Sequence, residues 1–428
     1  MGSRARRHEG DAVDTAVEQL RKLSSNFHYT QVECALITTA LNSLAYDLRT
    51  AKDKLDAALA DAEAEQSSVA SDGSVSYPAA GDKVDGKVPE GGTVKGTASG
   101  KAAHDPIDPA GEANDTADAL KRQASNHHDN PKYGRAVAIA DRIAQAVHEA
   151  TQADEKWAPK LRRLKADDDM VVAAEDWADA KKDTGSVRHG AKDYLDEIPP
   201  PPENGDPKLN ADWWKGLSEQ ERADYVSMHP ASVGKLDGLP AEIRDEANRT
   251  LLAEKRAEFA TQYQNTPGEP KPKFVRSGTP DGGMKYSDKW LEWHHKYEGK
   301  RAHLKAALDG MDAIEKRFDR TGEDGLPKAY LLGFDPERER FALANGNPDT
   351  ADHIAVYTPG TGASLGNSNG DINRGANLWK TSQPMTDQKV STITWVGYDA
   401  PPELPNAPRT NQVPTVTSLR SRILTEPR

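Results

Sequence analysis

A short glycine-rich turn is the part of this sequence best suited to chemistry. An apolar run at 354–357 has the composition of a buried strand, the turn Pro-Gly-Thr-Gly follows at 359–362, and a helix opened by Asp371 comes next. A strand, a glycine turn and a helix N-terminus together aim backbone N–H groups at a developing negative charge. The turn is therefore a candidate for half of an oxyanion hole. The candidate donors are Gly360, Thr361 and Gly362.

A structural explanation competes with this functional one. Any connection from a strand to a helix needs glycine for a tight turn. A single glycine-rich turn is also a weak motif when no other signal accompanies it. From the residues of the turn alone, both explanations stay open.

Other patterns that resemble cofactor or metal sites fail on their spacing. The turn glycines and Gly366 are spaced one residue too widely for a dinucleotide fingerprint. The run that begins at Asp319 lacks the central glycine and the final glutamate of a calcium loop. Adjacent histidines at 127–128 and 294–295 point in different directions, and neither pair has a third ligand at a suitable spacing. We therefore predict no cofactor and no metal ion.

Composition and charge narrow the class of protein. The 428 residues are enough for two or three domains, and 36% apolar with 29% charged residues is less core material than an average globular protein has. The net charge of −12 argues against a nucleic-acid partner, because phosphate contacts need clustered Lys and Arg. No apolar run approaches the roughly 20 residues that span a bilayer, and no signal peptide is recognisable. We expect a soluble protein that is cytoplasmic, or is exported by a route that uses no signal peptide.

The N-terminal part of the chain is predicted to form a helical hairpin or bundle over residues 11–184. Apolar residues recur at spacings of three and four along its first helix, at Val32, Leu36, Ala40, Leu44, Leu48, Ala51, Leu55 and Leu59. The same spacing returns over residues 140–164, and a third helix is predicted around 170–182. Residues 67–111 between the long helices are rich in Gly and Pro and predict a flexible insert. Cys34, the only cysteine, lies in the first apolar run, where we predict a small buried thiol.

A proline-rich linker is predicted at 185–208, followed by a helical region over 209–320. Ser218 with Glu221 has the spacing of a capping box, which marks the start of one helix. Pro240 marks the first turn of another helix. A second, Pro/Gly-rich linker at 264–288 precedes a long helix from about residue 289 to 318.

After residue 325 the apolar pattern changes from a helical to a strand-like period. KAYLLGFD and RFALANG flank a Pro-Glu-Arg-Glu turn and predict a β-hairpin. The strand before the glycine turn, the helix after it, and a strand at 391–399 predict a right-handed βαβ unit in a mixed sheet. The predicted sheet region is 326–400, and the proline-rich residues 401–428 are predicted to be an irregular tail. The fold class is therefore α + α/β, a long-helix hairpin followed by a partial α/β domain.

Three long motifs in this sequence resemble a known family. WWKGLSEQERADYVSMHPASVGKLDGLPAEIRDEANR, LLGFDPERERFALANGNPDTADHIAVYTPGTG and TITWVGYDAP are similar, in this order, to the actinobacterial α/β-hydrolase family, and the likeness covers about residues 205 to 401. The N-terminal half is similar to the helical region that precedes this domain in Streptomyces-type members. It is also similar to the helical hairpins of ESX-type secreted proteins, although no W-x-G turn occurs between its helices. The resemblance implies a serine hydrolase fold with a Ser, Asp, His triad, and it favours an oxyanion role for the loop around Thr361.

This chain departs from the family where the nucleophile belongs. The family resemblance implies a G-H-S-x-G elbow after a segment like TITWVGYDAP, and no such motif occurs beyond residue 401. Gly366-Asn367-Ser368-Asn369-Gly370 matches G-x-S-x-G, but Ser368 lies six residues beyond the glycine turn and not directly after a strand. His353 is the last histidine of the sequence, so Ser368 has no downstream base. We regard Ser368 as a loop residue and a weak nucleophile candidate.

Two functions remain open from the sequence. In the first hypothesis, the chain belongs to this family of serine ester hydrolases but is incomplete and inactive in this form. The implied substrate is an ester or a lipid-like small molecule. In the second, it is a non-catalytic helical binding, scaffold or secretion-associated protein whose partner is a protein bound through the N-terminal helices. Neither hypothesis includes a cofactor, a nucleic-acid partner or a membrane-spanning segment.

Overall fold

We describe the fold from a computed structural model of the chain. It describes residues 2–98, 128–164, 171–203, 205–277 and 282–398, and for most of residues 2–14 the backbone only. The predicted tail at 401–428 and a part of the predicted insert therefore lie outside the described residues. The chain forms two compact units. The first is Met1–Thr38, Leu164–Arg188 and Asp196–Arg428, and the second is Thr39–Arg163 and His189–Leu195.

The helices and strands are labelled in chain order. The helices are α1 Gly2–Ala64, α2 Tyr133–Arg163, α3 Ala174–Gly190, α4 Lys192–Leu195, α5 Pro207–Gly216, α6 Glu219–Met228, α7 Pro230–Val233, α8 Ala241–Asn265, α9 Asp288–Trp293, α10 Gly299–Asp319 and α11 Asn369–Ser382. The strands are β1 Ser68–Val69, β2 Val75–Tyr77, β3 Gly92–Val94, β4 Phe274–Arg276, β5 Met284–Tyr286, β6 Ala329–Asp335, β7 Arg340–Asn345, β8 His353–Tyr357 and β9 Val390–Val396.

Helix α1 buries only a part of its predicted apolar stripe. Leu36 and Ala40 are fully buried, whereas Leu48 and Leu59 are 40% and 39% exposed. Cys34 is exposed, so the predicted buried thiol is wrong. Two residues along a helix correspond to a rotation of about 200°, which places Cys34 on the side opposite to Leu36.

The segment predicted as a flexible insert contains regular structure. β1, β2 and β3 form an antiparallel sheet in that order, and Val75 and Tyr77 are buried in the core of the second unit. Asn130 donates from Nδ2 to the carbonyl oxygens of Pro78 and Glu90, both at 3.0 Å. The prediction of flexibility is therefore wrong for residues 68–94. A few apolar anchors and one buried amide order a segment whose composition is otherwise that of a linker.

The core of the second unit is built mostly from small side chains. Ala58 and Ala62 of α1 pack with Ala140 and Ile143 of α2, together with the buried residues of β2. Alanine at these positions lets two helix backbones approach closely, because little side-chain volume separates them. The unit therefore depends on close fit more than on large apolar side chains.

The linker predicted at 185–208 is helical in its first part. α3 extends to Gly190, beyond the predicted end near residue 182, and α4 follows it. Val187 and Ile198 are buried, which explains why this part of the chain is held in place. Only the proline run after Ile198 is extended.

Two local predictions in the helical region are confirmed. The Ser218 side chain accepts the Glu221 N–H at 3.2 Å, and the Glu221 carboxylate accepts the Ser218 N–H at 2.7 Å. α8 begins directly after Pro240. The predicted long helix is α9, a π-helical turn at His294–Glu298 and α10, and the linker before it contains the antiparallel pair β4–β5.

The four-stranded sheet has the order β6-β7-β9-β8. β6 and β7 are antiparallel, which confirms the predicted hairpin, and a bulge lies between Leu331 and Gly333. β8 and β9 are parallel neighbours joined through α11, which confirms the predicted βαβ unit. Apolar residues of α8 and α10 cover the sheet, with Phe259 and Met311 packed in the same core as Phe334. This core fixes the strand ends that carry the candidate site.

Candidate functional site

The candidate site lies at the carboxyl ends of the two parallel strands. β8 ends at Tyr357 and β9 at Val396, so the loops that follow them start at the same edge of the sheet. Tyr398, after β9, donates from its hydroxyl to the carbonyl oxygen of Pro359 at 2.5 Å. This hydrogen bond ties the loop after β9 to the glycine turn after β8. In open α/β sheets, the crevice outside the carboxyl strand ends is the usual place for a ligand.

The glycine turn has free backbone donors. The Ala363 N–H donates to the Gly360 carbonyl at 3.2 Å, and Gly362 has a φ of +74°, which favours glycine. The N–H groups of Gly360, Thr361 and Gly362 donate to no acceptor in the described part of the chain. Gly360 and Thr361 are exposed and Gly362 is half-buried. The predicted oxyanion-hole residues therefore present N–H groups that a negatively charged ligand can reach.

A 3₁₀ turn at Leu365–Asn367 anchors the loop to the core. Leu365 is fully buried, and its N–H donates to the carbonyl oxygen of Glu339 at 3.0 Å. A Cβ atom at Gly310 of α10 would lie 2.1 Å from the Leu365 carbonyl oxygen, so only glycine allows this contact. The close contact fixes one end of the loop while its exposed glycines stay accessible.

Ser368 does not have the geometry of a nucleophile elbow. It precedes α11 directly and follows the 3₁₀ turn, whereas an elbow serine follows a strand. Its side chain is fully buried, and its Oγ has no hydrogen-bond partner among the described residues. The sequence predicts a loop residue, whereas in the structure Ser368 occupies the N-cap position of α11. A substrate carbonyl cannot reach Oγ in this arrangement.

Asp371 has a different role from the one predicted. α11 begins at Asn369, so Asp371 lies in its first turn and does not open it. The Asp371 Oδ1 accepts hydrogen bonds from the Tyr357 hydroxyl and from Arg374 Nη1, both at 2.9 Å. Arg374 Nη1 also donates to the Tyr357 oxygen at 3.1 Å. The carboxylate is paired and buried at the strand end, where it fixes α11 to β8 and is no free base.

A buried polar network holds α11 against the sheet. Arg317 Nε donates to Asn345 Oδ1 at 2.6 Å, and Asn345 Nδ2 donates to Thr392 Oγ1 at 3.1 Å. The Thr392 hydroxyl in turn donates to the carbonyl oxygen of Gly375 at 2.9 Å. Burial lowers the pKa of Arg317 to about 10. The sequence gives no signal for this network, since its members are far apart in the chain and belong to four elements.

The described residues of the loops after β8 and β9 include no histidine. His353 stands at the start of β8, and the length of that strand places it about 13 Å from the glycine turn. Within the described ranges no group of three or more His, Cys, Asp or Glu side chains is arranged to hold a metal ion. The geometry therefore provides backbone donors for an anion on the loop after β8.

Comparisons with known proteins support the assignment of this region. A family model described as "Alpha/beta hydrolase" matches residues 335–421, which include β7, β8, α11 and β9. Uncharacterized proteins from two strains of Mycobacterium tuberculosis, CDC 1551/Oshkosh and ATCC 25618/H37Rv, are each 28% identical to the chain over 214 residues. The match covers 47% of this chain and 29% of each relative, so the chain spans less than a third of their length. No solved structure matches the chain.

None of the helices in the described ranges is both long enough and apolar enough to cross a membrane. The family match shows that the C-terminal region is similar to α/β hydrolases. None of these matches identifies a substrate. The domain boundaries, the oxyanion donors and the weak nucleophile candidate stay predictions from the sequence.

Proposed function

We propose that the C-terminal sheet is the oxyanion-binding side of an α/β-hydrolase-type site for carboxylic esters. The observation that carries the proposal is the set of three backbone N–H groups at 360–362, which have no acceptor among the described residues. These three residues follow β8, which is the third strand of the four-stranded sheet in chain order, and they precede helix α11. In the α/β-hydrolase fold, the loop between the third strand and the first helix supplies one N–H group to the oxyanion hole.

The chemical role of the loop follows from charge. When a nucleophile attacks an ester carbonyl, the carbonyl oxygen becomes an oxyanion. Fixed N–H donors stabilise this charge without having to reorganise, and one such donor contributes about 3 to 4 kcal/mol to the transition state. The anchored 3₁₀ turn at 365–367 and the Tyr398 hydrogen bond hold the backbone of the loop in place for this role.

We further propose that these 428 residues do not turn over esters by themselves. An oxyanion hole stabilises a charge that only a nucleophile can generate. Ser364 and Ser368 both stand in G-x-S-x-G matches of the sequence. Ser364 does not directly follow β8, which ends at Tyr357, and the Oγ of Ser368 is buried. The chain contains no histidine after His353 that would serve as the downstream base of a triad. The loop is therefore proposed to bind the charge, and the nucleophile is not assigned to any described residue.

A titration with a phosphonate tests the oxyanion role. Methylphosphonate monoester carries the charge of a tetrahedral intermediate, and its addition to isotope-labelled protein is expected to shift the backbone amide resonances of residues 360–362 in a saturable way. Thr361→Pro removes one N–H group and is expected to weaken the binding about tenfold, whereas Thr361→Ala keeps the N–H and serves as the matched control. Shifts that are absent at 360–362, or equal in the two variants, would contradict the proposal.

An ester assay tests the absence of turnover. With 4-nitrophenyl butyrate and a fluorophosphonate probe, we expect the rate to equal that of Ser368→Ala and no labelled serine. Labelling at Ser368 together with a loss of rate in Ser368→Ala would show that a nucleophile is present. In that case the inactivity proposal fails, while the phosphonate titration still reports on the oxyanion loop.

A further inference from the structure

An exposed hairpin in the first unit carries a ladder of stacked aromatic rings. β4 and β5 are antiparallel, with Phe274 opposite Tyr286. The ring centroids of Phe274 and Tyr286 are 4.8 Å apart, those of Tyr286 and Trp290 4.4 Å, and those of Trp290 and His294 4.6 Å. We call β4, β5 and their exposed apolar side chains the aromatic hairpin. Those side chains are Phe274, Met284 and Tyr286.

The aromatic hairpin is held firmly on the body of the unit. Trp290 Nε1 donates to Glu269 at 2.7 Å, and Trp293 Nε1 donates to the carbonyl oxygen of Pro267 at 2.7 Å. The Ser287 N–H donates to the Lys273 carbonyl at 2.9 Å. The hairpin therefore presents its side chains in a fixed arrangement, which reduces the entropy lost on binding.

Large apolar side chains of the hairpin are unusually exposed. Phe274 is 45% exposed, Met284 64% and Tyr286 42%, and Leu291 next to them on α9 is 38% exposed. Single exposed apolar residues are ordinary, whereas several on one hairpin are typical of a surface that binds a partner. Tyr286 stacks with Phe274 and with Trp290, and Trp290 is itself buried.

Basic side chains surround the apolar group. Residues 271–289 contain five basic and two acidic side chains, a formal charge of +3 in a chain of −12, and the acidic residues Glu269 and Glu292 flank this range. The basic residues are Lys271, Lys273, Arg276, Lys285 and Lys289. Arg276 and Lys289 are exposed and form no ion pair with a described residue. Lys273 and Lys285 pair with Glu269 and Asp288 at 3.5 and 3.9 Å, distances at which an exposed pair contributes little.

We propose that the aromatic hairpin docks the protein peripherally on an anionic lipid bilayer. Phe274, Met284 and Tyr286 enter the interfacial layer, and the basic side chains contact lipid phosphates. Aromatic side chains favour the membrane–water interface, and each Lys or Arg near an anionic surface adds to the attraction. This inference does not depend on the proposed ester chemistry.

The ring arrangement favours a lipid surface over a ligand that stacks. Single-stranded nucleic acids bind through open ring faces on which their bases stack. In the aromatic hairpin the ring of Tyr286 already stacks with the rings of Phe274 and Trp290. Insertion of apolar atoms into an interface needs no open ring face, and the flanking positive charges match anionic headgroups.

Co-sedimentation of the full chain with vesicles tests the proposal. Large unilamellar vesicles of phosphatidylcholine with 30% phosphatidylglycerol are expected to bind the protein at least tenfold more strongly than pure phosphatidylcholine vesicles. The binding is expected to weaken when NaCl is raised from 50 to 500 mM, because salt screens exposed charges. Equal binding to both vesicle types would overturn the proposal.

Matched variants separate the apolar and the charged contributions. Phe274→Ser combined with Met284→Ser is expected to reduce partitioning about tenfold, and Arg276→Glu combined with Lys289→Glu by at least the same factor. Met385→Ser is the control, since Met385 is 78% exposed and lies outside the hairpin. The circular dichroism spectrum and the melting temperature of each variant confirm that it folds.

Two outcomes contradict the lipid assignment. If the double serine variant binds vesicles as the unchanged protein does, the hairpin is not the docking surface. If a single-stranded 20-mer oligonucleotide binds the protein and the same variants lose that binding but not vesicle binding, the surface recognises nucleic acid instead.

Discussion

Two regions of the first unit bury polar side chains among different kinds of neighbours. Beneath the sheet, Asn345 joins Arg317 to Thr392 through hydrogen bonds, and Asn248 Nδ2 donates to the carbonyl oxygens of Gly234 and Leu331 at 3.0 and 2.9 Å. We call the contact of α1 with α3 and α8 the helix junction. It buries ionisable groups, and Glu33, which is 3% exposed, has one carboxylate oxygen without a partner in the described residues. Asn248 Oδ1 and Arg317 Nη1 in the sheet region likewise have no partner there.

The difference shows in the pKa values of two ionisable side chains at the helix junction. Burial, followed by the negative charges of Asp183 and Asp179 on α3, raises the pKa of Glu33 to about 7. Burial, followed by the positive charge of Arg249 on α8, lowers the pKa of His28 to about 4. The hydrogen-bond partners of Arg317 and Asn248 are neutral, whereas at the helix junction the pKa of Glu33 is about 7 and that of His28 about 4. We therefore expect the stability of the sheet region to depend on its hydrogen-bond partners and the stability of the helix junction to depend on pH.

The largest expected effect is in the sheet region. Asn345→Leu leaves the guanidinium of Arg317 buried without one of its acceptors, and we expect it to lower the free energy of unfolding by about 3 to 5 kcal/mol. Denaturant unfolding, with hydrogen exchange of the peptides that contain β6 and β7, measures the loss. The double variant Arg317→Met with Asn345→Leu is expected to regain most of it, because both polar partners are then replaced. A single variant that loses less than about 1 kcal/mol would show that the network is dispensable.

The second effect concerns the alkaline side of the helix junction. Because the pKa of Glu33 is raised in the folded state, its contribution is fully present below pH 4.5 and is lost as the pH rises through about 7. One pKa unit corresponds to about 1.4 kcal/mol, so the total loss is roughly 3 kcal/mol. Glu33→Gln is expected to remove this loss, so that the variant is more stable than the unchanged protein at pH 8 and similar at pH 4. If the stability difference between Glu33→Gln and the unchanged protein is the same at pH 4 and at pH 8, the raised pKa of Glu33 is contradicted.

The third effect concerns the acidic side of the same helix junction. The pKa of His28 is lowered in the folded state, so the unfolded chain binds a proton first and stability falls as the pH drops from 6.5 to about 4. Partial exposure of the ring reduces the expected loss to about 1 to 2 kcal/mol. His28→Gln keeps a polar group near the Thr250 hydroxyl, which lies 3.2 Å from the imidazole Nε2, and is expected to flatten the acid limb. Thermal melting from pH 4 to 7 measures this change, and His148→Gln on α2 is the control.

The smallest effect is at an exposed, satisfied group. Ser218→Ala removes one bond of the capping box and is expected to cost about 1 kcal/mol, with no dependence on pH between 6 and 8. Ser232→Ala, at an exposed serine of the short helix α7, is the control and is expected to change the stability by less than about 0.5 kcal/mol. A loss in Ser218→Ala as large as that in Asn345→Leu would remove the distinction between exposed and buried satisfied groups.

Short-range features of the fold were predictable from the sequence. The capping box at Ser218 needs only residues three apart, and the hairpin of β6 and β7 needs only an alternating pattern on both sides of a turn. The glycine turn could be found for the same reason, since its four residues are adjacent. The segment at 68–94 was missed because two buried anchors, Val75 and Tyr77, are hidden in a composition typical of linkers.

The candidate site was predictable only in part. Gly360 to Gly362 were identified as donors, but the pairing of Tyr357 with Asp371 and Arg374 was not, because it joins a strand end to a helix turn. Burial was equally hidden: Ser368 looks like a polar loop residue and is enclosed by the core. No local pattern states which polar side chain will be covered by a neighbouring element.

The sequence by itself determined the helix caps, the strand periods and the glycine turn, since each depends on the dihedral preferences and spacing of neighbouring residues. The tertiary structure alone decided the strand order β6-β7-β9-β8, the exposure of Cys34, and the partners of Arg317 and Glu33. The physical reason is that burial and long-range hydrogen bonds depend on how elements pack, and the free energy of packing is shared by residues that are distant in the chain.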